Sequence, residues 1–165
     1  MSEMATMTRE PSPKDVLDLL EGLLGRDVTV DLTSPYSPEP GDRAAHAVYV
    51  DDRLTVRAVA VCDLAFSAYA GAAIGLVPPG GAQDAVAERL LTPSMEENLY
   101  EVLNVCAALL NAEGHPHVKL YAMHSPMTAP PQDVAAMGQV LGRRLDLSVT
   151  IAGYGQGRLS IVGVA

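Results

Sequence analysis

Leu64 to Val77 is the longest apolar run in the chain, with no charged residue and an abundance of Ala and Gly. Asp63 stands in front of it as an N-cap, and Gly75 with Pro78-Pro79-Gly80-Gly81 closes it, so it reads as a helix running through Phe66, Ala70 and Ile74. The run is too short and too rich in Ala and Gly to span a bilayer, which leaves the protein interior as its place. Its small residues suit tight packing against another helix. The rest of the core is constrained in the same way. Aromatic residues make up 4% of the sequence, with no Trp and one Phe, so the interior has to be built from Val, Leu and Ala.

At 165 residues the chain is expected to form one domain large enough to fold without disulfides or metals. Twenty acidic against eleven basic residues give a formal charge of -9, a field that repels phosphate backbones and anionic lipid. Nucleic-acid and membrane partners are therefore not expected. Cys62 and Cys106 lie inside apolar runs far apart, which reads as buried free thiols in a reducing cytoplasm, with one buried pair as the alternative. The N-terminus has no apolar segment of the secretory type.

Residues 1–11 read as a flexible tail. Ser12 as N-cap, Pro13 in the first turn, Asp15, the apolar Val16, Leu19, Leu20, Leu23 and Leu24, and a stop at Gly25 predict the first helix. Asp27 to Leu32 alternates as a strand with one buried face, and Ala45 to Val50 with Leu54 to Cys62 reads as an antiparallel hairpin. After the Ala-rich helix come a short helix, Gln83 to Leu91, and the longest periodic segment, Met95 to Glu113, stopped by Gly114. Val118 to Met123 reads as a strand, Gln132 to Leu145 as a helix, and Leu147 to Ala152 and Leu159 to Val164 as the closing strands around Gly153 to Gly157. The expected fold is α+β, an antiparallel or mixed sheet of about six strands with long helices packed on one face. No repeat of useful fidelity is visible between the two halves.

On the Met95 to Glu113 segment, Leu99, Val102, Leu103, Cys106, Leu109 and Leu110 make the apolar stripe. Opposite them, Glu97, Glu101, Asn104, Ala108 and Asn111 fall within an arc of roughly 80°, two carboxylates and an amide one turn apart with small Ala108 beside them. A solvated helix face gives the same pattern, and spacing alone does not separate the two readings.

Glu101-Val102-Leu103-Asn104, with Glu97 four residues earlier and Pro126 22 positions after Asn104, resembles the signature of the CheC/CheX/FliY chemotaxis phosphatases. That signature is an Asp or Ser, three residues, a Glu, two residues, an Asn and, about 21 residues on, a Pro. The order of elements is also similar to CheX. The resemblance implies an enzyme that removes the phosphoryl group from the aspartyl phosphate of a CheY-type receiver domain. Asn104 would hold the attacking water and Glu101, with Glu97, would bind the Lys beside the phosphorylation site. It implies no cofactor of the protein's own, since the phosphorylated receiver carries the Mg²⁺, and a homodimer made by joining sheets. Glu97 stands where the family has Asp or Ser. CheC and FliY carry two such motifs, whereas the Asp63 to Gly75 helix offers no Glu or Asn pair, which puts the chain nearer CheX. The alternative is a non-catalytic adaptor or scaffold of the same fold that binds a receiver or another signalling partner.

Other residues carry weaker signals. His115, His117 and His124 lack nearby acid or thiol partners in sequence, so no metal site is expected. Gly153 to Gly157 leads into a strand and has no Lys-Ser pair, a hairpin turn rather than a phosphate loop. Ser125 and Ser160 lie in no nucleophile elbow, and Cys106 belongs to the buried stripe.

Overall fold

Val-rich and alternating segments along the chain pair into one sheet because each leaves one face apolar. The computed structural model describes residues 7–164. The strands are β1 (Val28–Leu32), β2 (Ala45–Val50), β3 (Val56–Cys62), β4 (Lys119–His124), β5 (Arg144–Ile151) and β6 (Gly155–Gly163). The helices are α1 (Pro13–Leu24), α2 (Leu64–Ile74), α3 (Pro79–Glu88), α4 (Pro93–Val105) and α5 (Gln132–Met137). The sheet order is β1-β5-β6-β3-β2-β4, and every neighbouring pair is antiparallel. The main core lies between one sheet face and helices α1, α2 and α4, while a smaller cluster around Val48, Val59, Val61 and Val134 puts α5 on the opposite face.

Exchanging β1 with β4, β2 with β5 and β3 with β6 reproduces the strand order read from the other edge. The two halves meet where β3 pairs with β6, Ala60 opposite Ile161. In each half a helix opened by a Ser or Thr cap and a Pro leads toward the first strand: Ser12 accepts from the Asp15 N–H, Thr92 from the Met95 N–H. Buried Val16, Leu20 and Leu24 of α1 correspond to Met95, Leu99 and Leu103 of α4. The repeat is one of topology and core spacing. No sequence repeat is legible, since few of the paired positions share a residue.

α2 is buried on nearly all sides, as its composition requires. A Cβ on Gly71 would lie 2.8 Å from the Met95 carbonyl oxygen, so the two helix backbones touch where only Gly fits. Asn98 Nδ2 donates to the Gly71 carbonyl across the same seam at 2.9 Å. Ser12 and Asp15 form a reciprocal capping box and Gly25 ends α1 at φ 66°.

Several expectations need correction. Pro79 starts α3 instead of belonging to the closing loop of α2, because Pro is preorganised for a first helical turn, and Arg89 in the left-handed region ends it before Leu91. The long helix stops at Val105 and tightens into a 3-10 turn, Cys106–Leu110. Asn111 then goes extended, and its side chain accepts from the Val118 N–H and donates to the Val118 carbonyl, imitating a strand partner for the chain entering β4. The helix expected over Gln132 to Leu145 covers Gln132–Met137 only. Arg144 Nη1 takes up the carbonyls of Gly138 and Val140, and β5 starts at Arg144 because Leu145 is needed on the main core face. Of the expected flexible tail, residues 1–6 lie outside the described residues, while Thr8 is buried and Arg9 donates to the Leu109 carbonyl and to Asp15.

On the far face, Arg144 grips Asp146 through two nitrogens, at 2.9 and 2.8 Å, and the Ser160 hydroxyl donates to the same carboxylate at 2.6 Å. Burial alone would raise the Asp146 pKa; the hydrogen bonds from Arg144 and Ser160 outweigh it and hold the carboxyl below the ordinary carboxylate value. Its contribution to stability is therefore complete above that ordinary value and is lost as pH falls through the lower folded one. Urea unfolding against pH is expected to show this loss below about pH 4, and Asp146→Asn is expected to remove it while costing roughly 3 kcal/mol at neutral pH. Gly71→Ala, which on an open helix would add helix propensity, is expected to destabilise by about 1–3 kcal/mol because the methyl meets backbone.

Candidate functional site

α4 is held along its inner side by Met95, Leu99, Val102 and Leu103, all buried. The Tyr49 hydroxyl, reaching up from the centre of β2, donates to the Leu103 carbonyl at 2.6 Å. Burial raises the Tyr49 pKa well above its ordinary value, so the phenol remains a donor. With Asn98 bonded to α2 and Tyr49 to the sheet, the helix is pinned on two sides and its outer face is fixed in direction.

Glu97, Glu101 and Asn104 all stand on that outer face, exposed. No hydrogen bond or ion pair from another described residue engages the three side chains. Residues three and four apart on a helix have Cβ atoms about 5–6 Å from each other, so Glu101 and Asn104 form a carboxylate and amide pair that can bind one partner group together. Ala108, exposed on the following 3-10 turn, leaves the end of the stripe open. Asn111 does not belong to it, being committed to Val118 as described above.

Tyr100, 44% exposed, flanks the stripe one turn from both Glu97 and Asn104. Sequence reasoning passed over it, although an aromatic at the edge of a polar face, in a chain so short of aromatics, is a usable signal of contact. Pro126 is not beside Asn104. Met127 Sδ accepts from the Leu91 N–H just ahead of α4, at 3.4 Å, which puts Pro126 near the start of the helix and Asn104 about 18 Å along it.

The remaining candidates take structural places. Cys62 and Cys106 are buried free thiols, and burial pushes the Cys106 thiol up to about 12, far from a reactive thiolate. His115 Nδ1 lies 2.9 Å from the Met7 carbonyl, His117 is exposed near Asp52, and His124 sits across from His46 between β4 and β2. Among the described residues no group of three or more His, Cys, Asp and Glu could hold a metal ion. Ser160 serves the Asp146 network, and Gly153 makes the β5–β6 turn at φ 85°. Among the same residues no helix is long and apolar enough to cross a membrane.

No family model matches the sequence, and no curated protein matches it. Solved structures do match. The FliM middle domain from H. pylori superposes with a TM-score of 0.57 at 13% identity, covering 92% of this chain and 84% of that one. FliY from Thermotoga maritima superposes with a TM-score of 0.53 at 14% identity, covering 90% and 82%. A FliG-FliM complex from H. pylori matches with a TM-score of 0.55 at 13% identity, covering 92% and 88%. The chain has the fold shared by FliM and FliY. This is the six-stranded α+β architecture expected from the sequence, and the family resemblance read from the α4 motif therefore holds at the level of fold.

Two kinds of substitution separate anchor from face. Tyr49→Phe removes the buried hydrogen bond to the Leu103 carbonyl and is expected to cost about 0.5–1.5 kcal/mol in denaturant unfolding. Glu101→Gln and Asn104→Ala, which break nothing inside the protein, are expected to change stability by less than about 0.5 kcal/mol.

Proposed function

We propose that the outer face of α4 removes the phosphoryl group from an aspartyl-phosphorylated receiver domain, with Asn104 and Glu101 as the working pair. The observation that carries this reading is that both side chains stand exposed one turn apart on a helix anchored on its other sides, with neither spent inside the protein. An aspartyl phosphate is an activated acyl phosphate. Its hydrolysis forms a bond from a water oxygen to phosphorus, breaks the bond from phosphorus to the aspartyl oxygen, and returns a carboxylate and inorganic phosphate. Such a reaction asks chiefly for a water held in line. The Asn104 amide can accept a hydrogen from that water and donate to a neighbouring oxygen without changing protonation.

Glu101 binds the cation the receiver presents, a Lys ammonium beside its phosphorylated Asp, and Glu97 extends the negative surface by one turn. The Mg²⁺ for the reaction belongs to the receiver, and this chain contributes no cofactor. A net charge of -9 repels a bare phosphoprotein surface, so docking depends on the receiver's own cations meeting these carboxylates.

A second reading is a non-catalytic adaptor of the same fold, and the FliG-FliM complex, a protein assembly built on this fold, favours it. One assay separates the two. Receivers charged with acetyl phosphate are followed by phosphate release, and binding is measured alongside. The expected outcome is faster release with the wild type, a loss of about 10²-fold in Asn104→Ala with binding retained, and weaker, less salt-sensitive association in Glu101→Gln. An unchanged rate in Asn104→Ala would remove the mechanism, while stoichiometric binding that leaves the phosphoryl lifetime unaltered would establish the adaptor.

A further inference from the structure

Among the described strand pairs, the register slips at two places, and both adjoin one residue. Against β3, Tyr49 faces Ala58 while Val50 faces Val56, so β3 carries an extra residue there. Against β4, Val48 faces Ala122 while Tyr49 faces Leu120, so β4 carries another. Tyr49 thus stands between two bulges, one in each neighbouring strand. Bulges raise the local twist and re-aim side chains. The side chain aimed here is 1% exposed, and its hydroxyl reaches the Leu103 carbonyl at 2.6 Å.

Leu103 lies in the last turn of α4, where the regular ladder of helical hydrogen bonds runs out and the chain tightens into the 3-10 turn Cys106–Leu110. Its carbonyl belongs to the same planar peptide unit as the N–H and Cα of Asn104. A donor rooted in the sheet and bonded to that oxygen therefore sets the tilt of the plane from which the Asn104 side chain departs. Asn104 is exposed and has no internal side-chain partner among the described residues, so the backbone beneath it is what aims its amide.

We propose that Tyr49 is a positioning residue for the reaction of α4: its hydroxyl, acting through the Leu103–Asn104 peptide, holds the Asn104 amide at the angle that keeps the attacking water in line. This rests on the reading of α4 as the phosphatase face. A misplacement of about 1 Å at a reacting centre costs about 10²-fold in rate. With the ring still in place and one hydrogen bond lost, the displacement is smaller, and so is the expected fall.

Tyr154 supplies the control. It is 7% exposed, and its hydroxyl also donates to a main-chain carbonyl, that of Val77 between α2 and α3. A merely structural role predicts the same consequences for Tyr49→Phe and Tyr154→Phe. Phosphate release is measured at saturating receiver, charged with acetyl phosphate, receiver affinity is measured separately, and the Asn104 side-chain NH₂ signals are followed by NMR. Tyr49→Phe is expected to lower the saturated rate about tenfold, leave affinity unchanged and shift the Asn104 signals. Tyr154→Phe is expected to do none of these. Equal rates in the two variants, a loss confined to affinity, or unshifted Asn104 signals in Tyr49→Phe would each overturn the assignment. A wild type that releases no phosphate from any receiver would remove the reading of α4, and the Asn104 signals of the two variants would still decide whether Tyr49 positions that side chain.

Discussion

With no atom at Cβ, Gly71 lets α4 lie against α2 backbone to backbone, and the direction in which α4 faces solvent follows from that contact. Were the two helices a side chain further apart, Asn98 would not reach the Gly71 carbonyl. α2 accepts this role because it has nothing else to present. Seven of its eleven residues are buried and none is charged, so it serves as a close-packed neighbour, on the same sheet face, for the helix that carries the exposed acids and amide. The scarcity of aromatics is part of the same solution, since a core that brings helices this close leaves little room for rings.

What the sequence made legible follows the range of the interactions involved. Helix starts were read correctly at two local caps, Ser12 with Asp15 and Asp63 with Phe66, whereas Thr92, whose side chain accepts from the Met95 N–H, was passed over and α4 begins at Pro93, two residues ahead of the expected start. The six strands and their sheet were legible because alternation records burial directly. Helix ends were not, where a distant partner decides them. Asn111 leaves the helix to serve Val118, and Arg144 closes the segment after α5 by taking the Gly138 and Val140 carbonyls while bound to Asp146 two residues along β5. Each of these side chains satisfies backbone groups that a helical continuation would have used, and hydrophobic periodicity does not record that competition. The exposed pair Glu101 and Asn104 was legible as a stripe. That neither is consumed by an internal partner became visible only in three dimensions.

The internal two-fold gives the asymmetry of the surface a physical basis. α1 and α4 occupy equivalent places, with matching buried positions, yet their outer faces differ in kind. Matching Leu20 to Leu99 puts Gly22 opposite Glu101 and Gly25 opposite Asn104. Gly25 is also the left-handed residue that ends α1, so the position corresponding to Asn104 is already the helix stop. α1 therefore lacks the length, as well as the residues, to display an acid and amide pair in the same register, whereas α4 passes into the 3-10 turn and keeps Asn104 inside the helix. The two-fold architecture carries one candidate site because α1 stops at Gly25, the position equivalent to Asn104.

That 3-10 turn links the exposed stripe to the N-terminal segment. Cys106 to Leu110 continues the axis of α4 beyond Asn104, and its far end supplies Leu110 to the wall of a cavity lined also by Thr8 to Pro11, and the Leu109 carbonyl to Arg9. A 3-10 turn is held by poorer hydrogen bonds than an α-helix and is the part of the element that adjusts most readily. Leu110 borders the space beneath Thr8 and Pro11 and, with Leu103 and Cys106, also lines a small void beside Tyr49. The carbonyl of Leu103, the residue before Asn104, is the atom Tyr49 holds. The cavity and the exposed stripe thus share one short stretch of backbone.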